Sequence, residues 1–221
     1  MPDPVAVNRL KFVNSWLVPE DDGLTLIDAN IRGTAGRILA AAERLGAPIV
    51  RIVITHAHPD HIGSLDALAQ RLPGVTVLIS ARDARLLAGD ASRDPHEPEG
   101  RLRAMKVQTA ATGHLAAGKR VGSLEVVPSP GHTPGHVALL DTRDGTLYCG
   151  DAYSTYLRVA TSAEGGRSRT PLPSMATWHK PTALASARAL RALDPARLAP
   201  GHGRVVEAPG AAMDAALARV S

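Results

Sequence analysis

A chain of 221 residues with 44% hydrophobic content suits one globular core, so a single domain over residues 1–221 is expected. The formal charge of +4 comes from 25 basic residues interspersed with 21 acidic ones, without the dense run that points to a nucleic-acid partner. No segment has the length of a membrane span or the pattern of an export signal, and the single cysteine, Cys149, rules out an internal disulfide or a thiolate-rich zinc site.

Those bounds lead to the expectation of a cytoplasmic protein with no membrane or nucleic-acid contact; a homodimer stays open. Only 3% of the residues are aromatic, so Ala, Val, Leu and Ile must build the core.

In chain order, Leu10–Val18 and Leu24–Asp28 read as a hairpin around the turn Pro19-Glu20-Asp21-Asp22-Gly23. Thr34–Leu45 predicts a helix stopped by Gly46, Val50–Thr55 a buried strand, and Ile62–Leu72 a helix. Val75–Ser80 and Arg82–Ala88 repeat the strand-helix pattern before a polar, Pro-rich loop over Gly89–Gly100. Strands follow at Leu124–Pro128, Val137–Asp141 and Thr146–Cys149, the last two joined by the turn Thr142-Arg143-Asp144-Gly145. Ala152–His179 is irregular, and long loops of this kind are often functional. Pro181 opens a helix that runs to Leu193; Arg197–Ala199 is a short strand, and Pro209–Val220 a closing helix. This alternation predicts an α/β fold, mixed sheets flanked by helices, with the histidine-bearing loops at strand ends.

The chemistry is concentrated in Thr55-His56-Ala57-His58-Pro59-Asp60-His61, at a predicted strand-to-helix turn. The strand period of two would turn His56 and His58 to one side, towards one ion, while Asp60 and His61 are displaced towards a second. His132 in Gly131-His132-Thr133-Pro134-Gly135-His136, Asp151 in Cys149-Gly150-Asp151 and His202 in Gly201-His202-Gly203 each lie beside glycine, which allows close backbone approach. Five histidines and two aspartates thus supply nitrogen and oxygen ligands for two sites.

Taken in this order, the motifs resemble the metallo-β-lactamase superfamily, from Asn14-Ser15-Trp16-Leu17-Val18 and Leu26-Ile27-Asp28 through His56–His61 to His202. The resemblance implies a four-layer αβ/βα sandwich with a two-metal site. It assigns His56, His58 and His132 to one ion, Asp60, His61 and His202 to the other, and Asp151 as the bridge. Zinc is the expected metal, with iron or manganese as alternatives. Asn30 departs from the pattern, standing where many relatives have glycine after the early aspartate.

The implied activity is hydrolysis of a small ester, lactone or thioester, with Asp60 as the catalytic residue that orients the attacking water and carries a proton. The short stretch after His202 argues against the helical glutathione-binding region of glyoxalase II. The alternatives are a mononuclear iron persulfide dioxygenase of the same superfamily and a non-catalytic metal-binding module. Tyr153, Tyr156, His136 and His179 are the candidate substrate contacts, with His136 also suited to supporting a ligand from behind. Arg167, Arg169 and Trp178 join that wall more weakly. His96 and His114 read as solvated, Cys149 as a small buried hydrophobe and Trp16 as core.

Overall fold

The computed structural model describes residues 5–9, 12–164 and 172–220, so Arg167 and Arg169 lie outside the described residues. The described chain gathers into two compact units: one runs to Ala91 and adds Arg103–Leu115, the other holds Ser92–Leu102 and the chain from Ala116 onward. Among the described residues no helix is long and apolar enough to cross a membrane.

The first unit carries β1 (Val5–Arg9), β2 (Val13–Glu20), β3 (Gly23–Ile27), α1 (Ala35–Leu45), β4 (Ile49–Val53), α2 (Pro59–Ile62), α3 (Leu65–Arg71), β5 (Thr76–Ser80), α4 (Ala81–Leu87) and β6 (Gly113–Leu115). Its sheet has the order β1-β2-β3-β4-β5-β6. The first three strands pair antiparallel, and β3 to β6 run parallel. The expected hairpin is present as β2 and β3, and β1 is an added edge strand. Helix α1 buries Ala35, Ile38, Ala41 and Ala42, the three-to-four spacing of a helix with one apolar face, and Gly46 ends it at φ +70°.

The helix expected over Ile62–Leu72 is instead two helices broken at Gly63-Ser64. A Cβ at Gly63 would stand 2.5 Å from the Arg32 nitrogen, so this position must be glycine for the two segments to meet. Ser64 Oγ donates to the Ile31 carbonyl and accepts from the Thr34 N–H at 2.9 Å, tying the break to the chain that leads into α1.

The second unit carries β7 (Arg120–Val121), β8 (Leu124–Pro128), β9 (Val137–Asp141), β10 (Thr146–Gly150), β11 (Tyr153–Ser154), β12 (Ala160–Thr161), α5 (Leu172–Ala176), α6 (Lys180–Ala192), β13 (Arg197–Pro200), β14 (Val206–Glu207) and α7 (Gly210–Ala218). Its main sheet has the order β14-β13-β10-β9-β8-β7, with β10 and β13 parallel and its other pairs antiparallel. Its core joins Ala138, Leu147 and Leu198 of the sheet to Ala187 and Leu190 of α6 and Met213 and Ala216 of α7. Small alanines at these contacts let helix and sheet approach closely, as the scarcity of aromatics requires. Two mixed sheets with attendant helices thus give the α/β class read from the sequence.

Candidate metal centre

Strand β4 ends at Val53, earlier than the alternation of His56 and His58 requires, so a loop presents these histidines. The cause is Asp28. Just past the end of β3, at φ +60°, its carboxylate takes the Thr55 N–H at 2.8 Å and draws the chain out of the ladder. Asparagine tolerates the same left-handed backbone two residues on, where Asn30 has φ +58°. Its amide also donates to the carbonyls of Val7 and Val13, which makes Asn30 a working replacement for the expected glycine.

Asp28 fixes two of the expected ligand histidines. His61 Nδ1 lies 2.8 Å from Asp28 Oδ2, and because a carboxylate only accepts, Nδ1 carries the proton and Nε2 a lone pair. The Thr55 hydroxyl donates to the same carboxylate at 2.8 Å and lies 3.0 Å from His56 Nδ1. With its proton given to Asp28, that hydroxyl accepts from His56, and His56 Nε2 likewise keeps a lone pair. The rings of His56 and His61 lie 4.1 Å apart, and those of His56 and His58 lie 4.8 Å apart, edge to face. Asp60, in the first turn of α2, stands 3.9 Å from His61 Nε2 with its side chain 37% exposed. Asp83, fully buried, holds the motif from the other side by accepting the Ala57 N–H at 2.9 Å.

The second unit brings its own three expected ligands together. Asp151 Oδ2 lies 3.2 Å from His132 Nε2 and 3.3 Å from His202 Nε2, all three residues buried. The remote nitrogen of each imidazole is engaged: His132 Nδ1 with the Thr177 hydroxyl at 3.1 Å, His202 Nδ1 with the Tyr156 hydroxyl at 3.0 Å. Thr177 has the Ser162 and Pro173 carbonyls as targets for its own proton, so it accepts from His132. A lone pair on His132 Nε2 then faces the Asp151 carboxylate, an arrangement that a cation would hold together.

All four expected substrate contacts have partners within the structure. His136 supports Asp151: its Nε2 accepts the Asp151 N–H at 3.0 Å, and its Nδ1 meets Ser129 Oγ at 2.8 Å. Tyr153 is fully buried in the core instead, its hydroxyl donating to the Ala187 carbonyl at 2.7 Å. Tyr156 backs His202. His179 caps α6, accepting from the Thr182 N–H, with its ring 5.8 Å from that of Trp178. Cys149 is buried, and burial pushes its thiol far above the usual range, which keeps it a thiol. Asp28, Thr55, Asp83, Ser129 and Thr177 were not among the expected site residues.

Comparison with known proteins identifies the family. The family model described as the metallo-β-lactamase superfamily matches residues 8–202, a span that contains all seven expected ligands. The chain is 42% identical over 208 residues to the uncharacterized protein YobT of Bacillus subtilis, covering 93% of this chain and 89% of that one. It is 33% identical over 145 residues to a hydroxyacylglutathione hydrolase of Gloeobacter violaceus, covering 66% of this chain and 50% of that one. Among solved structures, TTHA1623 in a di-iron-bound form superposes with a TM-score of 0.65 at 27% identity, over 95% of this chain and 96% of that one.

Proposed function

The chain belongs to the metallo-β-lactamase superfamily, and on that premise we propose that it is a hydrolase cleaving a small ester, lactone or thioester at a pair of divalent ions. In this reading His56, His58 and His132 would hold one ion and Asp60, His61 and His202 the other, and Asp151 would serve both. The supporting observation is the sharing of one Asp151 oxygen by His132 and His202, at 3.2 and 3.3 Å. A carboxylate oxygen with two imidazole nitrogens at that range suits a bridging ligand.

Ions held by these residues would lower the pKa of a bound water towards neutrality and polarise the carbonyl under attack. The residues then have separate tasks. Asp28, Thr55, Thr177 and His136 hold the ligands in one orientation. Asp60 keeps a partly exposed carboxylate, suited to orienting the attacking water and passing its proton to the leaving group. His179, half-buried at the start of α6, is suited to contact the substrate.

Zinc fits the nitrogen and oxygen donors, and iron fits them too, as a di-iron-bound neighbour illustrates. The ester-type substrate is supported by the hydroxyacylglutathione hydrolase among the relatives. The test is a metal analysis of the purified chain with a panel of lactones and thioesters before and after chelation. Two ions per chain and hydrolysis lost on chelation and restored by zinc are expected. A chain with neither property overturns the reading, and oxygen uptake with a persulfide would replace it with the dioxygenase.

A further inference from the structure

We infer that Tyr156 is the positioning residue of His202: its hydroxyl accepts the Nδ1 proton and so makes Nε2 the atom offered to metal. This rests on the reading of His202 as a metal ligand.

The geometry within the second unit carries the inference. The Tyr156 hydroxyl lies 3.0 Å from His202 Nδ1, while His202 Nε2 lies 3.3 Å from Asp151 Oδ2, so the two ring nitrogens have different partners. A neutral imidazole has one N–H and one lone pair, and an acceptor at Nδ1 puts the lone pair on Nε2. The two rings lie 5.9 Å apart at 43°, so the phenol also limits the rotation of the imidazole.

The backbone reinforces the same contact. Thr155 N–H donates to the His202 carbonyl at 2.9 Å, and Thr155 forms an isolated parallel bridge with Gly203. Gly203 has φ +106°, and a Cβ there would stand 2.6 Å from the Thr155 carbonyl carbon and 2.8 Å from the Tyr156 nitrogen. Glycine lets the two segments touch, and that contact brings the Tyr156 ring to the imidazole. Tyr156 thus stands to His202 as Asp28 stands to His61 and Thr177 to His132. Tyr153, three residues earlier, carries the same phenol into the core and provides a control of matched chemistry.

The experiment is a zinc titration of metal-free wild type, Tyr156→Phe and Tyr153→Phe against a chromophoric chelator, with the melting of each metal-free protein recorded alongside. Tyr156→Phe is expected to bind one ion as wild type does and the other about 10- to 100-fold more weakly, with the metal-free fold intact. Tyr153→Phe is expected to melt lower and to keep both affinities. Unchanged affinities in Tyr156→Phe, or equal loss at both sites with a lowered melting temperature, would overturn the positioning role alone. Wild type that takes up no zinc would overturn the hydrolase reading and this inference with it. Should Tyr156→Phe fail to fold, long-range proton–nitrogen spectra of zinc-loaded wild type decide the point: a proton on His202 Nδ1 is expected, and a proton on Nε2 overturns it.

Discussion

Asp28 Oδ2 accepts from His61 Nδ1 at 2.8 Å across 33 positions of sequence, and through Thr55 the same carboxylate orients His56. One buried acid thereby sets the tautomers of two histidines assigned to different ions. Coupling of this kind predicts that damage at Asp28 spreads to both sites.

Asp28→Asn is the clean probe, because asparagine tolerates the left-handed backbone at φ +60° and can still accept from Thr55. Its amide nitrogen cannot accept from His61. Metal affinity is expected to fall about 10- to 100-fold at both sites, in contrast to the single-site loss expected at Tyr156. Chelator-competition titration reads this directly, and a loss confined to one ion would break the proposed coupling.

Asp151→Asn tests the bridge. The substitution preserves size but removes the charge shared by His132 and His202 at 3.2 and 3.3 Å. Bound metal is expected to drop below the wild-type stoichiometry, and hydrolysis to vanish even in excess zinc. Full activity with full loading would show that Asp151 does not bridge.

Much of the candidate centre is legible in the sequence because its expected ligands cluster and carry their own punctuation. Asp60 and His61 sit on one short helix, and Gly131, Gly150 and Gly203 flank His132, Asp151 and His202 with positive φ angles. Strands β8 and β9 fall on the expected residues because their apolar runs are bounded by turns. The supporting residues were hidden for a physical reason: a side chain behind a ligand is placed by tertiary packing, and Thr177 reaches His132 from 45 positions away. The split at Gly63-Ser64 was hidden because Ile62–Leu72 keeps helical spacing through it; the break answers to Arg32, a remote neighbour. Asp28 alone left a trace, as one of two residues tolerant of left-handed backbone on either side of Ala29.

Asp141, at the end of β9, predicts a pH dependence of stability. Its carboxylate accepts from the Arg143 backbone at 3.0 Å and from the guanidinium at 2.9 and 2.6 Å. Burial works to raise its pKa, but the bonds and charge of Arg143 outweigh burial and hold the carboxyl below its ordinary value. A depressed folded value stabilises above the unfolded pKa, about 3.9, and that contribution is lost as pH falls through the folded value. Asp141→Asn should therefore cost about 1–3 kcal/mol at neutral pH, with the gap to wild type narrowing below about pH 4. Denaturant melts of the metal-free proteins across that range measure it; a constant gap would contradict the ion-pair origin.

Gly131→Ala predicts how tightly the His132 loop is seated. Gly131 has φ +127°, its carbonyl accepts the His179 N–H at 2.9 Å, and a Cβ there would stand 2.2 Å from the nitrogen of Ala183 in α6. Neither neighbour is a flexible side-chain tip, so the loop must lift from the helix and carry His132 away from Asp151. Gly118→Ala supplies the contrast, since Gly118 has φ +69° and nothing within 4 Å of its Cβ position. Both variants pay for the left-handed backbone, about 1 kcal/mol or more. Only Gly131→Ala should also weaken zinc binding, because crowding rather than backbone strain displaces the ligand. Equal melting losses with zinc affinity retained in both would mean that the His132 loop tolerates displacement from α6, and that the close approach at Gly131 serves folding alone.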